Sequence, residues 1–343
     1  IMPSLVGSEM CIRDRYALIW AGPSVPIQMP AEVAGMSGNA VWILLLFLYA
    51  GIASVLPVWM LLQPRDYING LQLFVGLLIL YGAIALLNPV LVAPMINNDV
   101  PAGTPSLLPL LFVTIACGAI SGFHGLVASG TTSKQLNKET DARFVGYFGA
   151  IGEGCLSLAA ILVACAGFAS LTDWKARYSA FGQGGVTAFV EGGAYVIHNG
   201  LGLPQVTAAT LLTVMAALFA GTTMDTGLRL QRYIFQEWGE IYNQPWMKKP
   251  LPATLLAIGT CLLLAFGAGG ADGSGGMIIW PLFGTTNQLL AGLTLLVITV
   301  MLVHMRRPMW FTLLPLCFLL LMTVLALVPV SYTHLTLPTT PSV

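Results

Sequence analysis

The chain is 343 residues long, and only 8% of those residues are charged whereas 57% are hydrophobic. A soluble domain carries about 25% charged residues and needs them to cover its surface, so this composition excludes a soluble globular protein. The 14 lysines and arginines are balanced by 14 aspartates and glutamates without a basic tract, which excludes a nucleic-acid partner. The composition predicts an all-α polytopic membrane protein surrounded by the lipid bilayer.

The two ends of the chain differ from its centre. Residues 2–15, MPSLVGSEMCIRDR, lack the apolar region of a signal peptide, and residues 331–343, SYTHLTLPTTPSV, form a Thr/Pro-rich string after an apolar segment. Both strings resemble translated sequencing-adapter read-through, and native disordered termini are the alternative. We therefore predict non-native segments at 1–15 and 331–343 around a membrane domain at 16–330, and an internal fragment of a longer protein.

Membrane-crossing segments can be predicted from length alone, because a helix needs about 20 apolar residues to cross the hydrocarbon core. Some of the segments that meet this length are interrupted by helix-weakening residues: three glycines divide the third, and Pro281 and Gly284 open the seventh. We predict about eight transmembrane helices, some of them broken by glycine or proline, at 41–62, 70–88, 106–129, 144–168, 204–224, 251–269, 281–304 and 309–329.

The positive charges between these segments predict their orientation, because lysine and arginine collect in cytoplasmic loops. Ten of these residues lie in the odd-numbered loops, and two, Lys175 and Arg177, lie in the even-numbered ones. The fourth loop, about 169–203, is predicted to be an external loop, with a re-entrant segment as the alternative. We predict cytoplasmic loops near residues 63–69, 130–143, 225–250 and 305–308.

Glu153 is the clearest functional candidate, because an ionisable side chain inside a membrane span is costly and indicates function by default. It lies well inside the fourth predicted span, and Gly152 and Gly154 beside it permit close approach of another helix or of a ligand. A carboxylate in that position suits reversible protonation. A structural hydrogen bond to a neighbouring helix is the alternative.

His124 lies in the third predicted span, where it could exchange protons near neutral pH or act only as a packing residue. Its surroundings favour function, because Ser121 and nearby glycines weaken the helix there, and Ser129, Thr131 and Thr132 follow. Irregular backbone at membrane depth is tolerated where it is buried in protein or lines a cavity. Broken helices of this kind form substrate and ion sites in transporters, so these residues are predicted to line the substrate or ion pathway.

Charged residues at the predicted end of the fifth span form a second group of candidates. Asp225, Arg229 and Glu237 are spaced by multiples of four, so a continuing helix places them on one face, with Arg232 nearby. Asp225 and Arg229 are predicted to form an i,i+4 ion pair. The pair belongs either to a gate or to an interfacial helix on the cytoplasmic surface.

Two further breaks carry polar residues. Pro64 is predicted to end the first span, and Arg65 and Asp66 to meet the headgroups there, either as a gate or as a structural elbow. At the opening of the seventh span, the amides of Asn287 and Gln288 either bind substrate or a cation, or satisfy backbone groups that the break sets free.

Several motifs of other protein classes are absent from the sequence. It contains no P-loop, no HExxH or GxSxG motif, no metal-spaced Cys/His cluster, and no Arg-rich voltage-sensing helix or TVGYG filter. We therefore predict no cofactor, no metal site and no enzymatic activity.

Four long motifs together resemble the carbon starvation protein A (CstA) family. They are PVWMLLQPRDYIN (57–69), IACGAISGFHGLVASGTTSKQLNKETDAR (115–143), TTMDTGLRLQRYIFQE (222–237) and WPLFGTTNQLLA (280–291), and the resemblance extends over about 41–305. The chain has Gly-Tyr-Phe at 146–148 where the family leads us to expect Gly-Tyr-Gly, and it lacks the family's long N-terminal membrane region.

The resemblance implies a bacterial inner-membrane secondary transporter that is made during carbon limitation. Family members are linked to peptide uptake, and relatives to proton-coupled pyruvate uptake. The implied fold is distantly similar to amino-acid transporters with inverted repeats and broken helices. A proton is the expected coupling ion, with sodium as the alternative.

The first hypothesis is therefore a cation-coupled symporter for peptides or small carboxylates. Glu153 and His124 would carry the proton, backbone groups near 118–130 would hold a substrate carboxylate, and the Asp225/Arg229 and Arg65/Asp66 pairs would form cytoplasmic gates. A peptide also brings an ammonium group, which needs a carboxylate or carbonyl partner, whereas pyruvate does not. The alternative hypotheses are a membrane sensor or structural component without transport, and, with the least support, an intramembrane enzyme.

Overall fold

The computed structural model describes residues 2–25, 30–33, 35–101, 104, 107–180 and 184–335. Within these residues the regular secondary structure is helical apart from one two-residue antiparallel pair, β1 (Glu32–Val33) with β2 (Met36–Ser37). The α-helices are α1 (Met2–Ala21), α2 (Gly38–Val55), α3 (Leu62–Leu87), α4 (Phe112–Ala119), α5 (Gly122–Val127), α6 (Asp141–Ala166), α7 (Leu171–Arg177), α8 (Gly185–Leu201), α9 (Gln205–Ile241), α10 (Pro250–Gly269), α11 (Gly275–Ile278), α12 (Trp280–His304) and α13 (Trp310–Leu335).

Seven of the described helices are long and apolar enough to cross a membrane, which confirms the prediction of an all-α polytopic membrane protein. They span 38–55, 62–87, 141–166, 205–241, 250–268, 282–304 and 310–328. The predicted third span, 106–129, is not one continuous helix. It consists of a short π-helix (Leu107–Leu111), α4, α5 and a second π-helical turn (Ala128–Thr132), so the prediction of a broken helix there is confirmed.

Two predicted boundaries are wrong. The first span ends at Val55, and Pro64 lies in the first turn of α3 instead of ending a helix. Proline is tolerated there because the N–H that it lacks has no acceptor in the first turn of a helix. The fifth span continues to Ile241 as a single helix, so residues 63–69 and 225–241 are helical and not loops.

The predicted external loop at 169–203 is also wrong, because α7 and α8 occupy most of it. α8 was missed since its 17 residues are fewer than a membrane span needs and include Glu191 and His198. Gly192 and Gly193 nevertheless let it pack tightly: a Cβ on Gly192 would meet Val163 of α6, and one on Gly193 would meet Leu212 of α9.

The described chain divides into two compact units. The first contains residues up to 31, 44–104 and 140–255. Its core is built where α3, α6, α8 and α9 pack together, and its apolar members are Leu77, Leu80, Ala83, Ala159, Val163, Ala194, Val196, Ile197, Ala208, Leu212 and Met215.

The second unit contains residues 32–43, 105–139 and 256 to the C-terminus. Its centre is α12, which packs against α13 on one side and against α4 and α5 on another. The Thr299 hydroxyl of α12 donates to the Thr312 hydroxyl at 2.8 Å, and Phe112 of α4 meets Phe318 of α13 edge to face. Residues 331–335 of the predicted tail continue α13, and 336–343 lie outside the described residues.

The packing of α8 can be tested by adding one methyl group to a glycine at its contact with α3. Gly200→Ala places a Cβ on the main-chain oxygen of Ala83 in α3, and a backbone atom can give way only if the helices move apart. We expect a loss of about 1–3 kcal/mol in the free energy of unfolding, measured by thermal or denaturant unfolding in detergent.

Gly82→Ala is the matched control, because its Cβ would point into open space beside the same stretch of α3. It should be neutral or slightly stabilising. Equal stability of the two variants would contradict the contact between α8 and α3.

Candidate functional site

A break in the helix separates α4 from α5 in the second unit. Ile120 (φ −133°, ψ 73°) and Ser121 (φ −87°, ψ 130°) both leave the helical region. Gly118 and Gly122 weaken the helix on either side, since each costs about 1 kcal/mol relative to alanine in a helix interior. The backbone polar groups at such a break need new partners, because the bilayer supplies none.

Asn287 of α12 supplies those partners. Its Oδ1 accepts the N–H of Phe123 at 2.9 Å, and its Nδ2 donates to the Ser121 hydroxyl at 2.9 Å and to the Cys117 sulfur at 3.1 Å. One buried amide therefore bonds to residues on both sides of the break. Of the two predicted roles for Asn287, this geometry supports the satisfaction of freed backbone groups.

Gly122 is required by the same contact. A Cβ on it would overlap the main-chain oxygen of Asn287, the main-chain nitrogen of Ala291 and the Cβ of Leu290. The backbone of α5 therefore rests directly on the backbone of α12, which keeps the Asn287 amide in reach of the break.

The other predicted pathway residues of this unit have different surroundings. Ser129 only bonds back to its own helix, to the oxygens of Gly125 and Leu126, and His124 is exposed. Gln288 is fully buried, and neither atom of its amide has a hydrogen-bond partner among the residues that the structure describes; the same holds for the hydroxyl of buried Thr131. Thr132 is half-buried.

The predicted i,i+4 pair of the first unit, Asp225 with Arg229, is present, and Asp225 also pairs with a residue of α3. Asp225 is fully buried, and its Oδ2 lies 2.8 Å from Nη2 of Arg65, whose Nη1 donates to the Tyr49 hydroxyl at 2.6 Å. The predicted pair with Arg229 is longer, with Nη2 of Arg229 lying 4.0 Å from Oδ1 of Asp225. Asp66 is exposed. The salt bridge of Arg65 is therefore with Asp225 of α9, and no Arg65–Asp66 salt bridge is found among the described residues.

Arg229 and Arg232 bind the carboxyl-terminal end of α2. Arg229 donates to the oxygens of Ala53 at 2.6 Å and Leu56 at 3.0 Å, and Arg232 donates to the oxygen of Ser54 at 2.6 Å. The last carbonyls of a helix lack partners within it, and positive charge is favoured there. Both arginines are buried, so they are not loop charges, and the predicted orientation of the chain stays a prediction.

Two buried amides beside this cluster, Asn69 and Gln72, were not among the residues predicted from the sequence. Asn69 Nδ2 donates to the Thr222 hydroxyl at 2.9 Å, and the guanidinium of Arg15 donates to Asn69 Oδ1 at 3.0 Å and to Gln72 Oε1 at 2.8 Å. The spacing of polar residues could have predicted these amides, because residues 65, 69 and 72 recur at i, i+4 and i+7 and so share one face of α3.

Glu153 lies in the middle of α6, in the first unit, and is exposed. The four nearest glycines on α6 have open space where a Cβ would be: Gly146, Gly149, Gly152 and Gly154. Glu237 is exposed near the end of α9, away from the buried cluster. Among the described residues, no group of three His, Cys, Asp or Glu side chains is arranged to hold a metal ion.

The family model and the curated relatives that match this chain indicate the same family. The model of the family described as "Carbon starvation protein CstA" matches residues 8–177 and 169–326. The chain is 34% identical to the peptide transporter CstA of Escherichia coli K12 over 81% of its own length and 48% of the relative's. It is 34% identical to the peptide transporter CstA of Helicobacter pylori J99 (79% and 46%) and 32% identical to the pyruvate/proton symporter BtsT of Escherichia coli K12 (81% and 49%).

The chain thus spans about half the length of the curated relatives it matches. No solved structure matches it.

The role of Asn287 at the helix break can be tested by removing its amide. Asn287→Leu leaves the buried N–H of Phe123 and the Ser121 hydroxyl without their partner, so we expect a loss of about 1–3 kcal/mol in the free energy of unfolding. Thr286→Val is the control, because this exposed hydroxyl bonds only to its own helix. Similar unfolding midpoints for the two variants would contradict the bridging role.

The Arg65–Asp225 pair can be tested with a double-mutant cycle in the same unfolding assay. Arg65→Leu leaves a buried carboxylate unpaired and should cost about 3–5 kcal/mol, and adding Asp225→Leu should recover most of that loss. The exposed pair Lys175–Asp99, at 3.0 Å, is the control and should contribute at most about 1 kcal/mol. Additive losses in the Arg65/Asp225 cycle would show that the two charges are not coupled.

Proposed function

The chain belongs to the carbon starvation protein CstA family, and from this we propose that it is part of a secondary active transporter for peptides or small carboxylates such as pyruvate. The names of its relatives, a peptide transporter and a pyruvate/proton symporter, support this substrate range. We further propose that the protein resides in the bacterial inner membrane and serves nutrient uptake during carbon starvation.

The observation that carries the proposal is the broken helix of the second unit. The described helices are otherwise continuous through their apolar stretches, yet α4 and α5 are separated by two non-helical residues that a buried amide of α12 holds in place. Transporters build their binding sites from discontinuous helices of this kind. A purely structural membrane protein has no need to keep such a break.

We propose that the coupling ion is a proton, and that Glu153 and His124 exchange it. Each is a titratable side chain on an apolar helix, and each is uncovered within its own unit. The glycines around Glu153 leave room for another helix or for the substrate to approach the carboxylate. The name of the relative BtsT, a pyruvate/proton symporter, supports a proton, and sodium is the competing ion.

We propose that the charged cluster of the first unit acts as the cytoplasmic gate. Arg229 and Arg232 hold the end of α2, and the Arg65–Asp225 pair joins α3 to α9. Three helices are therefore tied by a few charge-assisted hydrogen bonds, which are strong only while they stay desolvated. Opening the cluster to water would weaken all of these bonds together.

The proton-coupling proposal predicts that Glu153→Gln abolishes uptake while the protein still reaches the membrane, because glutamine keeps the size of the side chain but cannot exchange a proton. The measurement is accumulation of radiolabelled dialanine and of radiolabelled pyruvate in proteoliposomes under an imposed pH gradient, with a sodium gradient as the second arm. Glu240→Gln, an exposed acid at the end of α9, is the control and should transport normally.

Three outcomes would contradict parts of this proposal. Wild-type uptake by the Glu153→Gln variant would remove Glu153 from the coupling step. Uptake driven only by the sodium gradient would show that the coupling ion is sodium and not a proton. Substrate that binds but is never accumulated by the unaltered protein would favour a membrane sensor over a transporter.

A further inference from the structure

One face of α3 carries polar side chains through the start of an otherwise apolar helix. Arg65, Asn69 and Gln72 lie one above the other on this face, and Asn69 and Gln72 are only 4% and 3% exposed. Opposite them, α9 presents Thr222 and Asp225. Burying uncharged amides at membrane depth is unfavourable unless they are hydrogen-bonded, so these two amides require partners.

The orientation of the Asn69 amide is set by its neighbour on α9. Asn69 Nδ2 donates to the Thr222 hydroxyl at 2.9 Å, and that hydroxyl in turn donates to the main-chain oxygen of Leu218 at 2.8 Å. The hydroxyl proton is thereby used, so the Asn69 nitrogen must be its donor. This leaves Asn69 Oδ1 as an acceptor for a group that comes from outside the α3–α9 pair.

The two amide oxygens converge on one cationic nitrogen. Nη1 of Arg15 lies 3.0 Å from Asn69 Oδ1 and 2.8 Å from Gln72 Oε1. Arg15 is carried by α1 and belongs to the segment 1–15 that the sequence predicts to be non-native. Its guanidinium marks a position beside α3 where a positively charged N–H group is stabilised by two buried oxygens.

The Gln72 amide also has an unused donor. Its Nε2 is buried and has no hydrogen-bond partner among the described residues. A ligand that satisfies the whole amide must therefore offer a cationic donor to Oε1 and an acceptor to Nε2. The α-aminoacyl group at the start of a peptide has this pair, because a carbonyl oxygen lies three bonds from its ammonium nitrogen.

We propose that Asn69 and Gln72 form a subsite for the amino-terminal α-aminoacyl group of a short peptide, and that the Arg15 guanidinium occupies this subsite in the structure. The proposal rests on the proposed transport function and deepens it by selecting peptides over pyruvate. Pyruvate has no ammonium group, so it gains nothing from two converging amide oxygens.

The guanidinium groups next to the subsite suit the other end of a peptide. Arg65 and Arg229 lie 2.8 Å and 4.0 Å from one buried carboxylate, Asp225, and Arg232 follows Arg229 by three residues on α9. The Nε–H of each arginine is buried without a partner among the described residues. Along α3, Arg65 precedes Asn69 by four residues and Gln72 by seven, which is about 6–10 Å at a rise of 1.5 Å per residue. That distance fits an extended chain of two or three residues, so di- and tripeptides are the expected substrates.

The test measures binding and uptake separately with the protein in detergent and in proteoliposomes. Binding of labelled dialanine is competed with unlabelled dialanine, with propionyl-alanine, which lacks only the ammonium, and with pyruvate. In the unaltered protein, dialanine should compete at least tenfold better than propionyl-alanine. Arg15→Ala should strengthen dialanine binding, because it empties the subsite.

The variant Gln72→Leu should weaken dialanine binding at least tenfold and leave pyruvate within twofold. Propionyl-alanine keeps only the carbonyl acceptor for Nε2, so its binding should weaken less than that of dialanine. Thr222→Val should act in the same direction, because it releases the Asn69 amide. Thr223→Val is the matched control, since that hydroxyl bonds only to Phe219 of its own helix, and it should bind all ligands normally.

Each result bears on one of the two proposals. Equal losses of all three ligands in Gln72→Leu, or equal competition by dialanine and propionyl-alanine, would overturn the subsite, because a merely structural amide does not distinguish an ammonium. Dialanine binding with the expected selectivity but without accumulation under any ion gradient would overturn the transport function and leave the subsite standing.

Discussion

Inside a bilayer, a polar group of the backbone has no water to bond to, and every partner must come from the protein itself. The two polar regions of this chain both follow from that constraint. In the second unit, the break at Ile120 and Ser121 persists because Asn287 bonds to both of its sides. In the first unit, the open end of α2 is tolerated because Arg229 and Arg232 donate to its last carbonyls. Neither irregularity would be stable in an apolar environment without those side chains.

The same requirement explains why the charges of the first unit gather in one place. Two arginines are held at the end of α2 by main-chain oxygens, which are dipoles and do not neutralise a full charge. Asp225 supplies the nearest buried negative charge, but it is already bonded to Arg65 at 2.8 Å and lies 4.0 Å from Arg229. The cluster therefore keeps an excess of positive charge next to buried donors. A site with this balance favours an anion, and a carboxylate is the group that peptides and pyruvate have in common.

The sequence predicted what depends on neighbouring residues and missed what depends on distant ones. The apolar spans are local, and so is the break at Gly118–Gly122, because glycine and serine weaken a helix wherever they occur. The partners are not local: 160 residues separate Arg65 from Asp225, and 166 separate Ser121 from Asn287. Hydropathy also assigned α8 to a loop, because its 17 residues are too few for a membrane span. Its glycines instead allow close contacts with three other helices, which hydropathy does not detect.

Two relatives with different named substrates are almost equally similar to this chain in sequence. A peptide transporter is 34% identical to it and a pyruvate/proton symporter 32%, so overall identity does not choose between the two. A carboxylate site cannot choose either, because both substrates carry that group. Discrimination must come from groups that meet the ammonium of a peptide, and it is strong when a substrate lacking that group leaves buried polar atoms unpaired. In the proposed subsite these groups are Asn69 and Gln72, one and two turns along α3 from Arg65. The proposal therefore places the choice of substrate on the same helix face as a charge of the cluster.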